Sequence, residues 1–249
     1  MRKALTPEQR LVVASNLFGN HSNPDLMYAK MSLMATLSSL GPMRGKGLTI
    51  KVESLVRTLG FSCIQTIHSQ GFGAFADLKL YGTPQTLSDD GKLLRPYCPE
   101  FVTVACSCGV ASMKALKDQL PDTEVLGVTV LTNMSDNDTS RIHDGGVHNS
   151  TFRMAKLAEE AGLDGLICSA NEAPMLRKRF GDRFTLNVPN IRSVSSKIGN
   201  DDQNPLRSSD PAGAMTAGTD RIIIGRPISQ SQDPLLVVHR ILEEIASVL

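Results

Sequence analysis

The chain has 249 residues, 41% of them hydrophobic, which is enough for a substantial buried core in one large domain or two small ones. Its 26 basic and 25 acidic side chains nearly cancel, so no net field favours nucleic acid or an anionic membrane surface as a partner. No apolar run approaches the roughly 18 residues of a membrane helix. The start "MRKALTPEQR" also lacks the apolar run of a secretory signal, so we expect a cytoplasmic protein.

Short β-rich apolar runs alternate with segments of helical period along the whole chain. Eight runs predict strands, at residues 11–15, 48–52, 74–80, 101–106, 125–132, 165–169, 184–189 and 221–225. Between strands, residues 150–163 predict a helix for which Gly162 is a stop signal. Residues 233–249 predict another helix, with Asp233 as its N-cap and Pro234 at its first position.

Strict alternation of strands and helices predicts a parallel sheet of the α/β class. Eight strand–helix units in 249 residues match a closed (β/α)₈ barrel. We expect this barrel to be a single domain over residues 1–249. An open doubly wound sheet is the alternative, but the first βα turn lacks its glycine-rich fingerprint. A long loop, residues 193–213, follows the seventh strand. Because barrel sites lie at the C-terminal ends of strands, with phosphate often bound after strands seven and eight, we expect the site there.

Charged residues interrupt two neighbouring strands of the predicted barrel. Asp77 and Lys79 are two residues apart and therefore point to the same face, together with Phe75 and Tyr81. Lys51 lies in the preceding strand, where an unpaired lysine would be costly to bury. We therefore expect Lys51, Asp77 and Lys79 to form one cluster, which serves either catalysis or a structural ion-pair network.

A second group of polar residues follows the last two strands. Arg192 comes after strand seven, Gln203 lies in the long loop, and Gly225 with Arg226 closes strand eight. Two guanidinium groups, an amide donor and an exposed backbone N–H would form a phosphate site at the usual barrel location. The alternative is a surface arginine beside a turn glycine.

Two other patterns point to structure rather than chemistry. Cys106 and Cys108 share one predicted strand face, but two thiols without further clustered ligands are too few for a tetrahedral metal site. The five cysteines, an odd number, fit reduced thiols better than a disulfide framework. Met27, Met31 and Met34 recur at helical spacing and predict a helix face that packs on the sheet.

Several segments, taken in chain order, carry a resemblance to a known family. They are "ADLKL" with "TPQT", "LGVTVLT", "AGLDGLICSANEA", "IRS" with "GNDDQ", and "DRIIIGRPISQSQDP". Together these segments resemble the orotidine 5'-phosphate decarboxylase family, from Lys51 to the C-terminus. The resemblance implies a homodimeric TIM barrel with sites near the interface, which makes UMP from orotidine 5'-phosphate and uses no metal or organic cofactor.

The resemblance also implies a role for each matching residue. Lys51 would bind the ribose within a charged network, Asp77 would lie against the substrate carboxylate, and Lys79 would protonate C6 as CO₂ leaves. Thr86 of "TPQT" matches a substrate-binding position, and Thr132 of "VLT" would lie near the pyrimidine. The phosphate would be bound by Arg192, Gln203, Gly225 and Arg226.

The sequence departs from the family at two acids. Gly82 replaces the last aspartate of the family pattern D-x-K-x-x-D. In the family this aspartate reaches across the dimer into the neighbouring site. Glycine also permits backbone angles that are closed to aspartate. Asn16, or Ser15, stands where strand one usually ends in a ribose-binding aspartate. Both changes remove negative charge, so we expect UMP binding to be retained while decarboxylation is slowed.

Two other function classes remain open at this stage. One is a regulatory or binding protein that keeps the nucleotide site without the reaction, which the two lost acids favour. The other is a sister decarboxylase or aldolase that acts on sugar phosphates and shares the D-x-K-x-x-D pattern. Retention of Asp77 beside Lys79 favours the lyase, because a binding protein needs no acid next to the base, and the "VLT" and "GRPI" segments favour a nucleotide.

Overall fold

The computed structural model describes residues 4–15, 25–192 and 205–249. Within these ranges eight parallel strands form one closed barrel in chain order, and the last strand pairs with the first. The strands are β1 (Leu11–Ser15), β2 (Thr49–Val52), β3 (Gly73–Leu80), β4 (Phe101–Ala105), β5 (Glu124–Val128), β6 (Gly165–Ile167), β7 (Thr185–Val188) and β8 (Arg221–Ile224). The predicted (β/α)₈ architecture is confirmed, and the open-sheet alternative is wrong.

Helices connect the strands around the outside of the barrel. They are α1 (Pro7–Arg10), α2 (Leu26–Ser39), α3 (Ser54–Leu59), α4 (Ser62–Ser69), α5 (Pro84–Leu94), α6 (Val110–Gln119), α7 (Asp136–Ile142), α8 (Val147–Glu160), α9 (Ala173–Phe180), α10 (Pro211–Thr216), α11 (Arg226–Ser229) and α12 (Pro234–Ala246). In the described part of the chain, no helix combines the length and apolar character needed to cross a bilayer.

Local sequence signals account for the start of α12 and for the turn that follows α8. The Asp233 carboxylate accepts a hydrogen bond from the Leu236 N–H at 3.0 Å and caps α12, with Pro234 at the first position as predicted. Helix α8 starts three residues before the predicted position 150 and ends at residue 160. The chain then turns at Gly162, whose φ of 75° is in the left-handed region that glycine tolerates.

The barrel interior is filled with side chains and is not a pore. A separate inner cluster lies inside the ring of strands, and its buried members are Val12, Ala14, Phe75, Phe101, Leu126 and Ile223. The rings of Phe75 and Phe101 meet edge to face with their centroids 5.7 Å apart. A larger cluster fills the space between strands and helices. The inner cluster therefore forms an apolar floor beneath the C-terminal ends of the strands.

An ion pair lies at the N-terminal ends of the strands. Arg221 at the start of β8 contacts both carboxylate oxygens of Glu124 at the start of β5, at 2.9 and 3.0 Å. The Arg221 guanidinium also stacks 4.4 Å from the centroid of the Phe101 ring and donates to the Asn187 side chain at 3.3 Å. These groups pair with one another across the base of the barrel, so we expect ligands to enter from the opposite end.

The prediction that a methionine face packs on the sheet is wrong. Met27, Met31 and Met34 are 66%, 63% and 41% exposed on α2. The buried face of this helix carries Leu33 and Leu37 instead. Helical spacing identified residues that share a face, but this helix has two apolar faces, and only contact with the barrel decides which one is buried.

The expected placement of the cysteine pair on a strand face is also wrong. Strand β4 ends at Ala105, and the segment Cys106–Cys108 forms a 3-10 turn. Burial raises the pKa of the Cys106 thiol, which keeps it protonated at neutral pH. No cluster of three or more His, Cys, Asp or Glu side chains arranged to hold a metal occurs among the described residues.

Candidate active site

A cavity of about 360 Å³ opens at the C-terminal ends of the strands, above the inner apolar cluster. Its volume is in the range of small-molecule sites. The charged residues of its lining are Lys51, Glu53, Asp77, Lys79, Arg192 and Arg226. The structure therefore brings Lys51, Asp77 and Lys79 into one cavity with Arg192, Gly225 and Arg226, although the two sets are more than 100 residues apart in the chain.

Four charged side chains form a closed ring of alternating sign on one wall of this cavity. The Lys51 Nζ lies 2.6 Å from the Asp77 Oδ2 and 3.2 Å from the Glu53 Oε2. The Lys79 Nζ lies 3.0 Å from the Asp77 Oδ2 and 2.8 Å from the Glu53 Oε1. Each ammonium thus contacts both carboxylates. We call Lys51, Glu53, Asp77 and Lys79 the charge ring.

Strand geometry explains how the charge ring assembles. Lys51 in β2 pairs in register with Phe75 in β3, so Asp77, two residues further on, points into the same space from the neighbouring strand. Glu53 follows the last residue of β2 and is two residues after Lys51, so it also points to that side. Two pairs at the same spacing on adjacent parallel strands therefore meet at one place.

Lys79 has an unusual backbone conformation that Thr103 supports. Its φ of 49° is left-handed, a conformation that costs an ordinary residue roughly 1–2 kcal/mol, and the pairing of β3 with β4 is irregular around it. The Lys79 N–H donates to the Thr103 Oγ1 at 2.8 Å, and this buried hydroxyl donates to the Asp77 Oδ1 at 2.8 Å. Thr103 therefore fixes both the backbone of Lys79 and the side chain of Asp77.

The same irregularity decides where Tyr81 lies. Strand β3 ends at Leu80, and Tyr81 is 69% exposed outside the cavity lining. The prediction that Tyr81 shares a face with Asp77 and Lys79 is wrong, because the strict alternation of an extended strand does not continue through the left-handed residue.

The pKa shifts within the charge ring favour its charged form. Burial alone would raise the pKa of Asp77, but Lys51 and Lys79 overcome this effect and lower it to about 2. Burial also opposes ionisation of Glu53, whose pKa is nevertheless lowered, chiefly by Lys51. Burial would lower the pKa of Lys51, but it is raised by Asp77 and then Glu53. The two carboxylates and Lys51 are therefore ionised at neutral pH.

The charge ring has a buried side and an exposed side. The side chains of Lys51 and Asp77 are 11% and 9% exposed, whereas those of Lys79 and Glu53 are 32% and 34% exposed. All four line the cavity, so Lys79 and Glu53 are the members most accessible to a molecule bound there.

Three of the predicted phosphate-binding residues line the same cavity, at the C-terminal ends of β7 and β8. Gly225 follows β8 and Arg226 begins α11, while Arg192 follows β7. The Arg192 N–H donates to the Ser209 carbonyl at 2.8 Å, which ties the two described ends of the β7 loop together. Thr132, in the loop after β5, lies in the same lining, and its contact with a bound base stays a prediction.

Of the other predicted site residues, only Thr86 lies in the described part of the chain. Asn16 and Gln203 lie outside the described residues. Thr86 is exposed in the first turn of α5, where its Oγ1 lies 3.0 Å from the Thr83 Oγ1, and it is not part of the described lining. Its substrate contact stays a prediction.

The backbone at Gly82 does not need glycine. Its φ lies outside the left-handed region, so the turn does not use the left-handed backbone angles that glycine permits. A Cβ added at Gly82 would lie 3.1 Å from the Cβ and the Cγ2 of Thr86. Because Thr86 is exposed, a shift of a few tenths of an ångström would accommodate a larger residue.

Sequence reasoning missed Glu53 and Thr103. Glu53 had a usable signal, since its two-residue spacing from Lys51 is the same one that singled out Asp77 and Lys79. Thr103 had none, because its contacts depend on the irregular pairing of β3 with β4.

A buried clamp near the mouth was also missed. Arg207 donates to the Glu172 carboxylate at 2.9 Å and to the Leu131 carbonyl at 2.6 Å. The Ser169 N–H donates to the same Glu172 oxygen at 2.8 Å. The clamp joins the loops after β5, β6 and β7 and so holds Leu131, next to Thr132, in the cavity lining.

Comparisons with known proteins identify the family to which this chain belongs. A family model described as orotidine 5'-phosphate decarboxylase / HUMPS family matches residues 38–241. The chain is 37% identical over 204 residues to orotidine 5'-phosphate decarboxylase of Idiomarina loihiensis, covering 80% of this chain and 86% of that protein. Identity to orotidine 5'-phosphate decarboxylase of Gluconobacter oxydans is 39% over 200 residues, covering 76% and 81%. The crystal structure of orotidine 5'-phosphate decarboxylase from Lactobacillus acidophilus aligns with a TM-score of 0.76 at 27% identity, covering 94% of this chain and 98% of that chain.

Proposed function

Since this chain belongs to the orotidine 5'-phosphate decarboxylase / HUMPS family, we propose that it is a carboxy-lyase that converts orotidine 5'-phosphate to UMP in pyrimidine synthesis. The observation that carries this proposal is the position of the charge ring in the same cavity as Arg192 and Arg226. A nucleotide has its reacting ring and its phosphate at opposite ends, and the cavity offers groups suited to each.

Lys79 is the residue that acts on the reacting carbon. When the bond between C6 and the carboxylate breaks, CO₂ leaves as a neutral molecule and the electron pair remains on C6. The Lys79 ammonium stabilises this developing charge and then donates a proton to C6, which completes UMP. Asp77 holds Lys79 in place and repels the substrate carboxylate, and this repulsion ends once CO₂ has left.

The other residues bind parts of the substrate that do not react. We assign Lys51 to the ribose and Thr132 to the pyrimidine. The phosphate is assigned to Arg192, Gln203, Gly225 and Arg226, and Thr86 and Asn16 keep the substrate contacts inferred from the family pattern. Because the phosphate is remote from C6, its binding energy serves to position the ring rather than to break a bond.

A binding protein without activity is the second candidate. It would retain the arginines, but it would have no need for a strained lysine backbone that places an ammonium between two carboxylates. The charge ring therefore favours the lyase.

We also propose a homodimer, a single domain over residues 1–249 and a cytoplasmic location. The exposed apolar face of α2, formed by Leu26, Met27, Met31 and Met34, supports the dimer, since such patches mark interaction surfaces. The barrel includes strands from both halves of the chain, which supports one domain. All five cysteines are free thiols, which fits a reducing compartment.

The test is to incubate the purified protein with orotidine 5'-phosphate and follow the change in ultraviolet absorbance. We expect Lys79→Ala to lower kcat by roughly a thousandfold or more, because one residue supplies both charge stabilisation and the proton. Lys114→Ala is the matched control, since Lys114 forms an exposed ion pair with Asp118 on α6. A wild-type protein that binds UMP in calorimetry but leaves the substrate unchanged would favour the binding protein.

A further inference from the structure

Resting on the proposed decarboxylase function, we propose that Glu53 is a positioning residue of the active site. It holds the Lys79 ammonium at the reacting carbon and supplies, within the same chain, a second carboxylate for a site in which position 82 is glycine.

The contacts of Glu53 are directed at the two lysines. Its Oε1 lies 2.8 Å from the Lys79 Nζ, closer than the 3.0 Å between Asp77 and the same ammonium. Its Oε2 lies 3.2 Å from the Lys51 Nζ. One carboxylate therefore bridges both ammonium groups from the side opposite Asp77.

A structural role as a helix cap does not account for Glu53. The residue occupies the N-cap position of α3, yet its side chain makes no capping hydrogen bond with that helix. Glutamate is also not among the residue types preferred at this position. The side chain instead points into the cavity lining.

A structural role as a charge partner of buried Lys51 accounts for only one of the two Glu53 contacts. Lys51 already has Asp77 at 2.6 Å. The contact between Glu53 and Lys79 joins two side chains that are each about one-third exposed, and ion pairs of this kind contribute little to folding. Because the contact between Glu53 and Lys79 lies in the cavity where the substrate would bind, its loss should affect catalysis more than folding.

Removal of the Glu53 charge has opposite consequences for catalysis and for binding. The Lys79 amine would keep Asp77 on one side only, and its flexible stem would sample positions away from C6, so kcat should fall. The ring would carry two ammonium groups and one carboxylate, and this net positive charge should hold the anionic product at least as tightly. A lower kcat with unchanged or tighter UMP binding is therefore the signature of a positioning role.

The experiment compares wild type with Glu53→Gln, which removes only the charge, and Glu53→Asp, which keeps it on a shorter stem. Glu160→Gln, at an exposed site on α8, is the matched control and should match wild type. For each protein, kcat and KM with orotidine 5'-phosphate, the Kd of UMP and the urea midpoint are measured. We expect Glu53→Gln to lose about tenfold or more in kcat with no weakening of UMP binding and only a small fall in the urea midpoint. Glu53→Asp should recover part of the loss.

Two results would overturn the inference while leaving the proposed function intact. One is an active wild type whose kcat is unchanged in Glu53→Gln. The other is a loss of kcat in both variants that is matched by weaker UMP binding and a lower urea midpoint, as a purely structural residue would give. A wild-type protein that does not decarboxylate the substrate would instead refute the proposed function, and this inference with it.

Discussion

Asp77→Asn removes the carboxylate that joins the two lysines of the charge ring. Asp77 accepts hydrogen bonds from Lys51 at 2.6 Å, Lys79 at 3.0 Å and Thr103 at 2.8 Å. Burial alone would raise its pKa, but the two ammonium groups lower it from 3.8 to about 2. A difference of this size corresponds to about 2 kcal/mol of folding free energy at neutral pH.

The sign of the pH dependence follows from the direction of this shift. Because the pKa of Asp77 is lower in the folded protein than in the unfolded chain, its ionisation stabilises the fold fully above about pH 5 and progressively less as the pH falls toward 2. At about pH 3, roughly half of this contribution remains. Asp77→Asn lacks this stabilisation at every pH, and it also leaves Lys51 with Glu53 as its remaining carboxylate partner. Near neutral pH we therefore expect the unfolding free energy to fall by about 3–5 kcal/mol in total.

The assay is urea unfolding of wild type and Asp77→Asn at about pH 7 and about pH 3, followed by circular dichroism. We expect the difference in unfolding free energy between the two proteins to narrow by about 1 kcal/mol at the lower pH. Asp118→Asn, which removes the acid of an exposed pair on α6, is the matched control and should change stability by less than about 1 kcal/mol. An Asp77→Asn difference that is constant or larger at acid pH would refute the reasoning, because it would mean that Asp77 does not act as a stabilised anion.

Two further predictions concern the substituted acid and the subunit contact. Gly82→Asp should raise turnover without strengthening UMP binding, because it adds a negative charge at a position whose backbone accepts other residues. Gly82→Asn, which adds no charge, should leave turnover unchanged. Equal turnover in the two variants would contradict a role for charge. Met31→Lys, on the exposed face of α2, should shift the protein from dimer to monomer in light scattering. Leu236→Lys, at an exposed position on α12, should leave the dimer intact. A dimer that survives Met31→Lys would place the interface elsewhere.

Most of the barrel was predictable from local signals. The eight strands, the cap of α12 by Asp233 and the shared face of Asp77 and Lys79 follow from residue type and spacing within a few positions. Such features depend on backbone geometry that a short segment carries by itself, so the sequence alone determined them. The family that these sequence segments resemble is also the family whose model matches residues 38–241.

Only the tertiary structure decided which distant groups meet. The contact of Glu53 with Lys79 joins residues 26 apart, and that of Arg207 with Glu172 joins residues 35 apart. The left-handed backbone of Lys79 depends on Thr103 in the next strand, and the exposure of Met31 depends on which face of α2 packs on the barrel. These outcomes are set by strand register and barrel closure, which place side chains relative to partners from other strands and are not encoded in any one segment.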